Sequence, residues 1–377
     1  MSTGALDGVI VADFSRVLAG PYATMLLGDL GAEVIKIERP GTGDDTRAWG
    51  PPFDQEGTAT YFNSVNRNKK SVVLDLSTDE GRARARDIVA GADVVVENFR
   101  AGTMERLGLG YEELRQVKPD VIYCAITGFG RDEGAALAGY DLLVQAVGGL
   151  MSITGPEPGS PTKVGVALVD VLTGLHALAG IQAALFHRQR TGEGQRIDIN
   201  LLSSLLSSLV NQASGYLGAD VVPSILGNRH PSIVPYEVFP TADRPLAIAV
   251  GNDKQFAALC RALGMPEAAE DPEFSSNPQR VKHRDKLFAL LSEGLAPQGA
   301  DYWFKTLTAA GVPTGPINNV AEAFRFAESL GLAPTVTVPG TQTPQVANPI
   351  QMSATPPQYR SAPPPFPDPS AEVNITG

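Results

Sequence analysis

Gly8-Val9-Ile10-Val11-Ala12-Asp13-Phe14, followed by Ser15-Arg16-Val17-Leu18-Ala19-Gly20-Pro21 and, after Gly31, by Ala32-Glu33-Val34-Ile35-Lys36-Ile37-Glu38, is the stretch that decides the fold. The first segment is an apolar run of strand length, which predicts a buried strand. Gly20-Pro21 opens a helix through Leu30, with proline in the first turn, where its missing N–H costs nothing. Gly31 ends that helix, and Ala32 to Glu38 reads as a second strand. Strand, helix and strand at this spacing form a βαβ unit. The loop after the first strand lacks G-x-G-x-x-G, so a nicotinamide dinucleotide reading is weak. A helix N-terminus following a strand still favours anions.

The pattern continues. Ser71 to Leu76, Asp93 to Phe99 and Val121 to Thr127 read as strands, with helices at Asp79 to Ala90, Thr103 to Leu107 and Tyr111 to Val117. Alternation of this kind predicts the α/β class: a doubly wound, mostly parallel sheet, whose ligand lies outside the carboxyl ends of the strands. Arg39, Asn98, Phe99 and Arg100 fall at those ends. Taken singly, the arginines read as surface charges, Phe99 as core, and Trp49 and Tyr61 as loop anchors. Their shared location favours a binding site.

Near Gly218 the texture changes. Pro223, Gly227 to His230, Pro231 and Pro235 mark a linker. Residues 1–220 are expected to form the large domain and 225–325 a smaller α+β domain, built from a hairpin and helices at Lys254 to Leu263, Arg280 to Glu293 and Ala300 to Ala310. A returning C-terminal segment, 326–377, is expected to join the large domain. From Pro334 the chain is rich in Pro and Thr, which predicts an extended segment lying over the protein or a partner.

Gly139-Tyr140-Asp141 and the run Val164 to Gly174 form a second informative stretch, in which Asp170 stands alone among apolar residues. An ionised carboxylate is costly to bury without nearby stabilisation. Either Asp170 caps a helix or bonds backbone amides, or it is a nucleophile or base held in a dry pocket. Val164 to Phe186 is long and apolar enough to suggest a membrane span. Asp170, His176, Gln182 and three glycines favour a buried strand end followed by a core helix running from Gly174 to about Gln189.

The net charge of the 377-residue chain is −11, which argues against nucleic-acid and anionic-membrane partners. A local cluster of arginines is compatible with an anionic small molecule. Cys124 and Cys260 form no disulfide or metal pattern, which fits a reducing cytoplasm, and the N-terminus carries no signal-peptide pattern. No histidine has a partner at metal-ligand spacing, so no metal is expected.

The ordered set Leu18-Ala19-Gly20-Pro21, Leu27 to Glu38, Gly43-Asp44, Asn66 to Leu76, Glu97-Asn98-Phe99-Arg100, Gly139-Tyr140-Asp141, Asp170 to Gly174 and Thr191 to Gln195 resembles the family III CoA-transferases. The group contains formyl-CoA transferase and carnitine CoA-transferase, with α-methylacyl-CoA racemase as a relative. The resemblance implies a Rossmann-like large domain in an interlocked homodimer, and an acyl-CoA substrate exchanging coenzyme A with a free carboxylic acid. It places Asp170 at the catalytic aspartate, which would attack the acyl carbon to give a mixed anhydride and then carry CoA as an aspartyl-CoA thioester. It places Val17, Leu18, Arg39, Leu74, Asn98, Phe99, Arg100 and Arg106 along the CoA site, and Trp49, Tyr61 and Tyr140 around the acyl group. Two departures stand out. Several transferases carry Gln where this chain has Val17-Leu18, and the glycine-rich covering loop is replaced by Gly251-Asn252-Asp253-Lys254.

Two rivals remain. A 2-methylacyl-CoA racemase needs two acid/base groups on opposite faces of one carbon, and where the relative carries His this chain has Tyr140, a poor base at neutral pH. Asp253 is the acid such a reading would invoke. A non-catalytic CoA binder is the other rival, disfavoured by the retention of Asp170.

Overall fold

In the computed structural model residues 4–367 are described. They form two compact units. One comprises the described residues of Met1–Met151, Lys163–Pro223 and Ala333–Gly377, and the other Ser152–Thr162 and Ser224–Leu332. The structure thus groups residues 152–162 and 326–332 with the second unit, where the sequence division placed them in the first. Segment 152–162 folds on itself, Thr162 donating to the Thr154 carbonyl at 2.8 Å.

The first unit runs β1 (Ile10–Asp13), α1 (Ala19–Asp29), β2 (Glu33–Glu38), α2 (Thr60–Asn63), β3 (Lys69–Val73), α3 (Asp79–Ala90), β4 (Val94–Glu97), α4 (Thr103–Arg106), α5 (Tyr111–Val117), β5 (Ile122–Thr127), α6 (Asp141–Val147), α7 (Leu168–Thr191), β6 (Arg196–Asn200), α8 (Leu201–Ser208) and α9 (Val210–Ala219). Its sheet is six-stranded with order β3-β2-β1-β4-β5-β6, and every pairing in it is parallel. The central strands are covered on both faces, which is why they read as unbroken apolar runs. The strand order reverses between β1 and β4, so a crevice opens beyond the carboxyl ends of those two strands.

Asp170 is not at a strand end. It lies in the first turn of α7, where Asp141 accepts the N–H groups of Val169 at 2.8 Å and Asp170 at 3.2 Å. This remote cap starts the helix earlier than the apolar run alone suggests. α7 buries Val169, Thr173, Ala177, Ile181 and Ala184 along one stripe. Gly174 permits its close approach to α1: a Cβ there would stand 2.7 Å from the Ala19 carbonyl oxygen.

Two further differences are local. The helix expected from Leu201 to Tyr216 breaks at Val210, whose φ is +42°. The helix expected from Arg280 to Glu293 is interrupted at His283, where φ is −110°.

In the second unit β7 (Tyr236–Phe239), β8 (Leu246–Ala249) and β9 (Thr314–Pro316) form an antiparallel sheet. It is accompanied by α10 (Asp253–Ala262), α11 (Asn277–Lys282), α12 (Arg284–Leu295), α13 (Ala300–Ala309) and α14 (Val320–Ser329). α14 was not anticipated from sequence, although its capping box, Asn319 with Glu322, is a readable start signal.

The segment from Ala333 carries β10 (Thr335–Val336) and β11 (Gln345–Val346) and then docks as extended chain. Gln358 donates to the Asp29 carbonyl at 2.7 Å. The Arg360 guanidinium donates to the carbonyls of Gly28, Gly31 and Ala32 at 2.6–2.9 Å. Buried Asp29 is held by Arg67 at 2.8 and 2.6 Å and by Asn348 at 3.0 Å. Asp29, Arg67 and Asn68, prominent in the sequence motifs, are therefore a dock for the C-terminal segment.

Candidate active site

The site grows from the turn after β1. Asn98, just past β4, spans the strand-order reversal: its Oδ1 accepts the Arg16 N–H at 2.8 Å and its Nδ2 donates to the Arg16 carbonyl at 2.6 Å. Val17 follows with φ +68°, a left-handed conformation that a β-branched residue adopts only under constraint. Its N–H points at both oxygens of Asp44, 3.3 Å away. Asp44 is buried and also accepts from Lys36 Nζ at 2.8 Å and Thr46 N at 3.0 Å. Burial works against its ionisation, but the Lys36 charge and these hydrogen bonds prevail and hold its carboxyl at about 2.

A second buried pair lies beneath. Asp13 accepts from Thr24 at 2.6 Å and Lys69 at 3.1 Å, and Lys36 donates to the Ser15 carbonyl at 3.0 Å. Burial lowers the Lys69 ammonium to about 8 against the opposing pull of Asp13. These charges are fully enclosed, and their hydrogen bonds compensate the desolvation. Gly20 completes the turn, since a Cβ there would strike the Ser15 side chain at 2.3 Å.

Two cavities flank this turn. One, of about 100 Å³, is lined by Ala19, Asn98 to Ala101, Ile126 to Gly130, Gly139, Leu201 and Asp170. The other, of about 260 Å³, is lined by Phe14, Arg16, Ile37 to Pro40, Leu74 to Ser77, Phe99 and Leu107. Phe99 lines both, and the Arg16 guanidinium sits 4.9 Å from its ring centre.

Asp170 is half-buried in the smaller cavity. Burial, and after it the Asp141 charge, pushes its carboxyl up to about 7. A poorly solvated carboxylate is a better nucleophile than one in water. Asp141 is itself fixed, its Oδ2 accepting from Gln145 Nε2 at 2.5 Å. Tyr61 faces the same charges: burial, then Asp170, Asp141 and Asp44, push its phenol up to about 12, so it remains a hydrogen-bond donor at working pH.

The expected site residues divide into groups. Asn98, Phe99 and Arg100 line the cavity of Asp170, while Arg39, Leu74 and Phe99 line the larger one. Arg100 has no ion-pair partner among the described residues. Arg39 donates to Thr42 at 2.7 Å and pairs with Asp45. Val17 and Leu18 line neither cavity and connect Arg16, which lines the larger one, to Ala19, which lines the smaller. Trp49 packs edge-on to Tyr61, ring centres 5.3 Å apart. Arg106 lines neither cavity and donates to Thr103 at 3.0 Å. Tyr140 lines neither and is 66% exposed at the start of α6. Asp253 is ion-paired at 2.7 Å with Arg280, a buried guanidinium, and the Gly251 to Lys254 stretch serves as the cap of α10.

Three contributors were missed. Arg16 was quoted only as part of the loop after the first strand. Asp44 and Asp141 were read only as motif members. The one signal available was a carboxylate following glycine-rich chain, and that pattern alone does not say which group it will hold.

A protein-family model described as CoA-transferase family III matches residues 6–367. The chain belongs to this family. It is 46% identical to the succinate–glutarate CoA-transferase of Agrobacterium fabrum, a match covering 98% of this chain and 94% of the relative. It is 41% identical to the acetyl-CoA:oxalate CoA-transferase of Acetobacter aceti, covering 93% and 90% respectively. A CAIB/BAIF family protein from Brucella suis has a solved structure that superposes with a TM-score of 0.87 at 44% identity, over 97% of both chains. The protein is thus a CoA-transferase, an enzyme whose substrates are CoA thioesters and carboxylic acids.

Proposed function

We propose that this transferase moves CoA from succinyl-CoA to a short dicarboxylic acid through a covalent intermediate on Asp170. The carboxylate attacks the thioester carbonyl and expels the CoA thiolate, giving a mixed anhydride. The thiolate then attacks the aspartyl carbonyl, releasing the donor acid and leaving an aspartyl-CoA thioester. The acceptor carboxylate repeats both steps in reverse and restores Asp170. A carboxylate suits this role because it forms both an anhydride and a thioester and is regenerated unchanged.

The observation that carries the reading is Asp170 itself: a half-buried, weakly acidic carboxyl in a cavity at the strand-order reversal. The donor and acceptor classes are supported by relatives named for succinyl-CoA with glutarate or mesaconate. Arg16, Arg39, Leu74, Phe99 and Arg100 would take the CoA moiety, with arginines as forks for its phosphates. Tyr61 and Trp49 would border the acyl group.

We also infer an interlocked homodimer. It is supported by apolar side chains left exposed in the first unit: Leu142 and Val147 on α6, Phe186 on α7, and Val210 and Leu217 on α9. Light scattering would test it, a monomer counting against it. Buried, unpaired Cys124 and Cys260 suit a reducing cytoplasm.

The deciding experiment for the activity incubates the enzyme with succinyl-, acetyl- and glutaryl-CoA against a panel of free acids and reads products by mass spectrometry. Exchange with dicarboxylates is expected. No exchange with any acid would sink the reading.

A further inference from the structure

Asp44 lines neither cavity, yet its carboxylate reaches the backbone amide of Val17, in the turn after β1. Arg16 lines the larger cavity and Ala19 the smaller one, so Val17 and Leu18 are the residues that link the two linings along the chain. Val17 holds φ +68°, which costs free energy in any L-residue and most in a β-branched one. Something must compensate. The Val17 N–H lies 3.3 Å from both Asp44 oxygens, Lys36 Nζ bonds both Asp44 and the Ser15 carbonyl, and Asn98 clamps Arg16 by both its backbone groups. Asp44 is fixed in turn: its own N–H donates to Glu38 Oε2 at 2.8 Å, and Glu38 is gripped by Arg47 at 2.6 and 2.8 Å.

We propose that Asp44 is a positioning residue of this transferase, holding Val17 in its left-handed conformation so that the Arg16–Ala19 turn presents the bound CoA thioester to Asp170. The inference rests on the reading that the two cavities take an acyl-CoA. The carboxylate does its work through the backbone of Val17 and never meets the substrate. A shift of about 1 Å in such a turn is enough to spoil attack geometry.

The test compares Asp44→Asn and Asp44→Glu, each alone and combined with Val17→Gly, with the wild type. The glutamate variant keeps Lys36 paired and serves where the asparagine variant fails to fold. Two quantities are read: Kd for CoA by titration calorimetry, and KM and kcat for transfer from succinyl-CoA. Either Asp44 variant is expected to raise Kd and to lower kcat/KM about tenfold or more, with kcat falling as the attack geometry is lost. Adding Val17→Gly is expected to recover most of that loss, because glycine adopts positive φ unaided. Unchanged kcat/KM and Kd with only a lowered melting temperature, or the absence of recovery by glycine, is what a merely structural Asp44 gives, and either result overturns the inference. A wild type that binds CoA but exchanges no acid removes the proposed activity, while Kd still decides the role of Asp44. A wild type that binds no CoA overturns both.

Discussion

Asp141 accepts the backbone N–H of Asp170 at 3.2 Å, so one carboxylate fixes where the other stands. The same Oδ1 accepts the Val169 N–H at 2.8 Å, which places a negative group at the positive end of α7. Burial, then the Asp141 charge, brings the Asp170 carboxyl to about 7. The geometry and the acidity of Asp170 therefore share a cause.

Asp141→Asn separates them. The amide oxygen still accepts both N–H groups, and the charge that raises Asp170 is gone, at the cost of the hydrogen bond from Gln145. The Asp170 carboxyl then ionises at lower pH. The acid limb of kcat/KM for acyl-CoA, expected near pH 7 in the wild type, should move to lower pH in the variant. An unmoved limb would mean that another group sets it.

Stability should respond to Asp170 with a definite sign. The folded carboxyl is raised from 3.8 to about 7, so between those values the folded state keeps a proton that the unfolded chain has released. The wild type accordingly loses stability as pH rises through that window. Asp170→Asn has no such loss. Its melting temperature should exceed the wild type's by a margin that grows from pH 4 to pH 7 and is constant above. A margin independent of pH would contradict the assignment.

The sheet was legible because its strands are apolar runs separated by helices, and periodicity survives without any knowledge of contacts. The order of the motifs was enough to point to the CoA-transferase family. What was not legible depends on long-range partners. Asp141 lies 29 residues from Asp170, and only the folded chain shows that it caps α7 and turns an expected strand end into a helix start. Asp44 reads as a loop aspartate until Lys36 and Val17 surround it. Tyr140 and Arg106 were placed at the site by motif position, yet the first is left facing solvent and the second lies outside both cavities. Val210 gives no residue-level warning of its helix break, since valine has no preference for positive φ.

The larger cavity predicts an asymmetry between two arginines. Arg39 lines it and Arg106 does not. Arg39→Ala should weaken CoA binding about tenfold, the loss of one charge-assisted contact, and the residual binding should depend less on salt than the wild type's. Arg106→Ala should change affinity by less than about threefold, within the range of an exposed charge pair. Calorimetry at two ionic strengths reads both, and equal effects would relocate the phosphate end.

Packing between α1 and α7 can be checked apart from chemistry. With only 2.7 Å between a new Cβ and the Ala19 carbonyl, Gly174→Ala must push the helices apart. A loss of about 1–3 kcal/mol is expected, as for other overpacked sites, and urea unfolding measures it. Because Ala19 and Asp170 line one cavity, kcat/KM should fall alongside. Unchanged stability would show that the helices yield freely.

The central claim is that Asp170 carries CoA during turnover. Wild-type enzyme mixed with succinyl-CoA alone, quenched in acid and digested, should yield the peptide containing Asp170 heavier by a CoA thioester, and Asp170→Asn should yield none. A CoA adduct on any other residue, or transfer at the wild-type rate by Asp170→Ala, would contradict the account.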